Sequence, residues 1–168
     1  MRSLPPVTES GLPPRSAALL AIGGVVTAAL IGAASSPGGG RAAWYQRLSK
    51  PAATPPGGAI GVVWIGLEAL LCVTGYRLLR ARPSVGRDVA LGGWGGCLAG
   101  LVGFPLAFFG LRRTDGGVAA SAGMLGAAAV TVAAAAQVDR PAALAGVPLV
   151  LWTGFATWLS EEIWRRNR

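Results

Sequence analysis

The chain has 168 residues, of which 52% are hydrophobic and 13% charged, with a formal net charge of +8 and no histidine. Lack of an imidazole excludes a His-coordinated zinc or haem site and any catalytic triad or dyad that needs a histidine base. The basic surplus would suggest nucleic acid in a soluble protein, but here it falls in short loops and at the ends of apolar runs, where it faces lipid headgroups, so no nucleic-acid partner is expected.

The first stretch, residues 1–16, carries four prolines and little hydrophobicity and is expected to be a disordered lead. Five apolar segments follow, at about 17–36, 60–79, 89–109, 117–136 and 142–164. Each is long enough to cross a hydrocarbon layer about 30 Å thick at about 1.5 Å of rise per residue. A soluble bundle would show polar stripes, yet Val118 to Ala136 has no charge on any face. The fold class is therefore an all-α integral membrane bundle of five transmembrane helices in one domain, residues 17–168, with the bilayer as its first partner. Arg2 and Arg15 ahead of a run ending near Ala33, Ala34 and Ser35 also resemble a signal peptide, but the run is nearly long enough to span and four more spans follow, so cleavage is not expected. The fifteen Lys and Arg residues divide seven to eight between the two sides and set no orientation.

Between the first two spans, residues 37–58 form a long connection with Trp44, Tyr45, Pro51, Pro55 and Pro56. That mixture of interfacial aromatics and stiff turn residues suits a cover better than a simple link, although an aromatic belt followed by a Pro-rich turn has the same composition. Glu68 is a carboxylate well inside the second span, where an unpaired charge costs a few kcal/mol. It can stay protonated, hydrogen-bond a ligand, or serve a polar contact between helices. Gly92, Gly96 and Gly100 in the third span form a small-residue stripe that lets another helix approach, either in a homodimer, the preferred reading, or inside one bundle. Cys72 and Cys97 lie within spans and read as small apolar residues, not ligands. In the fifth span Trp152, Phe155, Ala156 and Leu159 share one helical face, as a pocket wall or as ordinary packing. No metal site and no catalytic residue is assigned.

The run Trp44-Tyr45-Gln46-Arg47-Leu48-Ser49-Lys50-Pro51, continued by Thr54-Pro55-Pro56, Gly61, Val63 and Trp64, resembles the loop and second helix of the tryptophan-rich sensory protein/translocator protein family. Pro105, Phe108, Phe109 and Gly110 resemble the end of its third helix, and Trp152, Phe155, Ala156, Thr157, Leu159, Trp164 and Arg165 its fifth. The departures mark a divergent member. Ala53, Phe104 and Gly116 stand near usual tryptophans, Ile60 and Val62 replace an aromatic and a proline, Glu68 replaces a tyrosine, Leu101 an asparagine, and Ser160-Glu161 an asparagine-tyrosine pair.

The resemblance implies a receptor or translocator that binds a hydrophobic small molecule, foremost a porphyrin or haem, for sensing, storage or transport. It requires no cofactor. The implied pocket is Ala34, Ile60, Val63, Trp64, Phe104, Phe108, Trp152, Phe155, Ala156 and Leu159, beneath a lid of Trp44, Tyr45, Arg47, Lys50 and Pro51. Ligand carboxylates would pair with Arg47 or Lys50, and iron would find only Cys72, Cys97, Tyr76, Met124 or Tyr45. Light-dependent porphyrin breakdown, known in some relatives, would involve pocket tryptophans, of which Trp64 and Trp152 remain. A sterol motif is not supported, since no tyrosine lies between Leu159 and Arg165. The expected home is a bacterial cell envelope. The alternatives are a small-molecule exporter, disfavoured because no internal repeat is evident, and a structural membrane partner without a tight ligand.

Overall fold

The computed structural model describes residues 11–168. Its helices are α1 (Pro14–Ser35), α2 (Gly40–Arg47), α3 (Gly57–Arg80), α4 (Val85–Pro105, continued by a π-helical turn, Leu106–Gly110), α5 (Thr114–Ala135) and α6 (Arg140–Arg166). No strand occurs among the described residues, and the five long helices are each long and apolar enough to cross a membrane.

Every span is a few residues longer at one or both ends than its apolar window, because polar and proline caps carry the helix into the interface. Pro14 occupies the first turn of α1, where a missing N–H costs nothing. The Ser84 Oγ accepts from the Arg87 N–H at 3.2 Å to start α4, and the Asp139 carboxylate accepts from the Ala142 N–H at 2.8 Å to start α6. The disordered lead expected for residues 1–16 lies outside the described residues up to position 10. Beyond that it is corrected: the Leu12 N–H donates to the Leu79 carbonyl at 2.8 Å, and α1 begins at Pro14.

The spans close into a ring in which α1 neighbours α3 and α4, α3 neighbours α6, and α5 lies between α6 and α4. Leucine, isoleucine and valine side chains such as Leu19, Leu30, Val62, Ile65, Leu144 and Leu151 point outward, as a lipid solvent allows. Inside, the two halves of the ring differ. The half away from α2 is packed solid around Trp94, whose indole N–H donates to the Leu71 carbonyl at 3.0 Å. Its ring lies flat against Gly75, where an added Cβ would sit 2.5 Å from the indole. At the outer end of this half, Arg77 grips Asp139 with Nε–Oδ1 2.7 Å and Nη2–Oδ2 3.1 Å, tying α3 to the start of α6.

The glycine stripe of the third span serves this packing. A Cβ on Gly96 would lie 2.8 Å from the Ala127 Cβ, and one on Gly100 2.6 Å from the Met124 Cγ, both on α5 of the same chain. The expectation of a homodimer through Gly92, Gly96 and Gly100 is corrected accordingly: two of the three positions are taken by α5, and Gly92 alone faces outward.

Candidate functional site

In the half next to α2 the helices diverge and enclose a cavity of about 400 Å³. Its lining comes from the C-terminal parts of α1, α4 and α6 and the N-terminal parts of α3 and α5. Two backbone features set its shape. Pro105 cannot donate to the Leu101 carbonyl, and the π-helical turn that follows, closed by the Leu111 N–H to the Leu106 carbonyl at 2.8 Å, widens the helix and re-aims Phe108 and Phe109. On α1, Gly32 leaves room for the Leu101 carbonyl where any Cβ would collide.

Ile60, Trp64, Phe104, Phe108, Trp152, Phe155, Ala156 and Leu159 all line this cavity, together with Glu68. Val63 and Ala34 do not. The lining face of α3 is Gly57, Ile60, Gly61, Trp64 and Glu68, and that of α1 is Ala29, Gly32, Ala33 and Ser36. Each excluded residue is one position, about 100° of rotation, off its face. Val63 packs on the buried core instead, and Ala34 is exposed and offers only its carbonyl, to Arg41 Nη2 at 2.9 Å. The sequence-derived face of α6 extends further than expected, through Thr153, Ser160 and Ile163, which continue the same three-to-four-residue spacing. Gly100, assigned to a dimer from sequence, is a lining residue, as is Met124 beside it.

The cover is a built structure. Phe104 stacks on Phe108 at 5.5 Å between centroids with 11° between planes, and Phe108, only 2% exposed, receives the edges of Trp44 at 5.6 Å and Tyr45 at 6.1 Å. Such pairs contribute about 0.5–1.5 kcal/mol each beyond burial. Tyr45 also meets Phe109 at 5.5 Å and lines the cavity, and burial pushes its phenol above the ordinary value, so it stays neutral. Lys50 does not offer its charge to a ligand. Its Nζ donates to the carbonyls of Tyr45 (2.8 Å), Leu48 (2.9 Å) and Gln46 (3.2 Å) and lies 4.7 Å over the Tyr45 ring, closing the end of α2. Pro51 is buried and its carbonyl accepts from Thr54; Arg47 is exposed.

Two cover residues escaped the sequence reading. Asn167 pairs with the Ser49 backbone in both senses, Nδ2 to the carbonyl and the N–H to Oδ1, each 2.9 Å, and so latches the cover to the end of α6. A single asparagine near a chain end carries no pattern that marks this. Arg41 is the other. Its Nη2 holds α1, its Nε is buried with no partner among the described residues, and the Arg112 guanidinium lies close to neighbouring Gly40.

This arrangement, five spans with an aromatic half-cavity under a helical cover, agrees with what residues 17–165 match: the TspO/MBR family. The chain belongs to the TspO/MBR family. It is 32% identical over 126 residues to the translocator protein of Homo sapiens, covering 74% of this chain and 75% of that protein. Against the tryptophan-rich sensory protein of Cereibacter sphaeroides the figures are 30% over 124 residues, 74% and 77%. Against Protein CrtK of Rhodobacter capsulatus they are 30% over 128 residues, 74% and 79%. It is thus an integral membrane protein of the TspO/MBR family, and the loop that resembles its relatives in sequence contains the short helix α2.

Proposed function

We propose that this protein holds a large, flat, apolar molecule in the cavity, a porphyrin or haem-type tetrapyrrole foremost, and works as a membrane receptor or translocator for it. The observation that carries this reading is the concentration of Trp64, Phe104, Phe108, Trp152 and Phe155 around one cavity of about 400 Å³, within the range of small-molecule sites. Aromatic faces stack on a conjugated ring in offset geometry, and apolar walls exclude water from it.

The names of the relatives, a translocator and a sensory protein, support the class of role. Lys50 is a poor partner for ligand carboxylates, since its Nζ already donates to three carbonyls. Of the side chains offered to iron by the sequence, Tyr45 and Met124 line the cavity, whereas Cys72, Cys97 and Tyr76 do not. Stacking needs no axial ligand, so free-base protoporphyrin is the right probe.

Titration of the purified protein with protoporphyrin, read by tryptophan quenching, tests the reading. Saturable binding that is lost in the Trp64→Leu/Trp152→Leu double variant is expected. Saturable binding that survives both substitutions would move the site elsewhere, and no saturable binding at all would favour an exporter or a structural partner.

A further inference from the structure

The cavity has an uneven charge inventory. Among the described residues its lining contains no lysine or arginine, and its ionisable groups are Tyr45 at the cover and Glu68. Glu68 stands eleven residues into α3 from Gly57, roughly 16 Å along the axis, and is the α3 lining residue farthest from the cover. It therefore lies at the floor, near the middle of a span, too deep to reach a headgroup region.

Among the described residues, Asp88, Asp115, Asp139, Glu161 and Glu162 each face an arginine, but no hydrogen bond or ion pair reaches the carboxylate of Glu68. Trp64 is one turn above it on the same face, and Trp152 and Phe155 of α6 line the same space. A carboxylate at the base of an aromatic enclosure is the chemistry that recognises an organic ammonium: a charge-assisted hydrogen bond to N–H, and cation–π attraction from the ring faces. Binding such a group also removes the cost of a carboxylate left unpaired in an apolar span. A neutral ring gains only stacking, and an anionic group placed at the floor is repelled.

We propose that Glu68 is the specificity-determining residue of this cavity, and that among flat apolar ligands it favours those that present an N–H donor to the floor, a protonated amine most strongly. This rests on the cavity being a ligand site. It adds the polarity of the ligand: nitrogen donor at the floor and any carboxylate at the cover.

The test uses two probes of the same three-ring shape, 9-aminoacridine, a cation at neutral pH, and acridine, neutral there. The full chain in neutral-detergent micelles is titrated with each and followed by tryptophan quenching. The wild type should bind 9-aminoacridine about tenfold more tightly than acridine or better, and Glu68→Gln should bring the ratio close to one by weakening 9-aminoacridine. Equal wild-type affinities, both weakened by Trp64→Leu, would overturn the role of Glu68 and leave the cavity reading standing. The wild-type ratio needs no variant, so it decides even if Glu68→Gln fails to fold. A preference retained in a folded Glu68→Gln variant would overturn the proposal, as would loss of both probes with helix content intact, since the carboxyl would then shape the cavity instead of reading charge. If neither probe saturates in the wild type, the cavity reading falls and this inference with it.

Discussion

The two halves of the helical ring are built from similar material and reach opposite ends. In the half away from α2, glycines bring helices together: Gly75 receives Trp94, and Gly93 and Gly146 receive Thr131 and Val132, so little space remains. In the half next to α2, Gly57 and Gly61 line the cavity with nothing among the described residues within 4 Å of where their side chains would be. The same residue type closes one half and keeps the other open. What separates them is the partner opposite, a tryptophan that enters the ring in one and a proline with a π-helical turn that diverts the backbone in the other.

The sharpest way to break that contrast is to add one methyl group to each half. Gly75→Ala drives a Cβ into the Trp94 ring at 2.5 Å and should cost about 3 kcal/mol through forced repacking. Gly61→Ala meets nothing within 4 Å and should change stability by no more than about 1 kcal/mol. Thermal unfolding in detergent compares them directly; equal losses would mean that the halves are not packed differently.

A smaller effect is expected at the far end of the packed half. Arg77, chiefly, together with the Ala142 N–H, holds the Asp139 carboxyl below the usual carboxylate range despite its burial, and the side chain is 20% exposed. Asp139→Ala removes a bidentate ion pair and a helix cap and should cost about 2 kcal/mol. Because the native value is lowered, this contribution is complete above the ordinary carboxylate range and disappears as the pH falls through the native value. Stability of wild type and variant, followed on acidification, should converge; a constant gap would assign the loss to something other than the charge.

The smallest effect concerns the cover. Asn167→Ala deletes two exposed hydrogen bonds to Ser49 and one to the Ile163 carbonyl of its own helix; the two that hold the cover are worth roughly 1 kcal/mol, so ligand should leave about fivefold faster with little change in melting. Stopped-flow release of protoporphyrin measures it, and an unchanged rate would show that the cover opens elsewhere.

The contrast also explains what could be read from the residues alone. Five spans were legible because hydropathy over about 20 residues is a direct consequence of bilayer thickness. The wall of α6 was legible because aromatics recur at helical spacing, and the resemblance supplied the walls of α3 and α4. Ala34 and Val63 show the limit, since an error of one position rotates a side chain about 100° away from the cavity. The destination of the glycine stripe was not legible, because a glycine records that something approaches and not what, and Gly96 and Gly100 meet α5 of their own chain. Asn167 and Arg41 work by folding back on distant backbone, at Ser49 and Ala34, and no local pattern announces such contacts.

One paired measurement bears on the division of labour between the halves: protoporphyrin affinity and melting temperature, both determined for Trp64→Leu and for Trp94→Leu. Trp64 lines the cavity, whereas Trp94 is 9% exposed and bonded to Leu71 within the packed half. Trp64→Leu should weaken binding and leave melting nearly unchanged, and Trp94→Leu should lower melting while the folded fraction still binds. The reverse pattern, with binding lost at Trp94 and kept at Trp64, would contradict a ligand cavity in the half beneath α2.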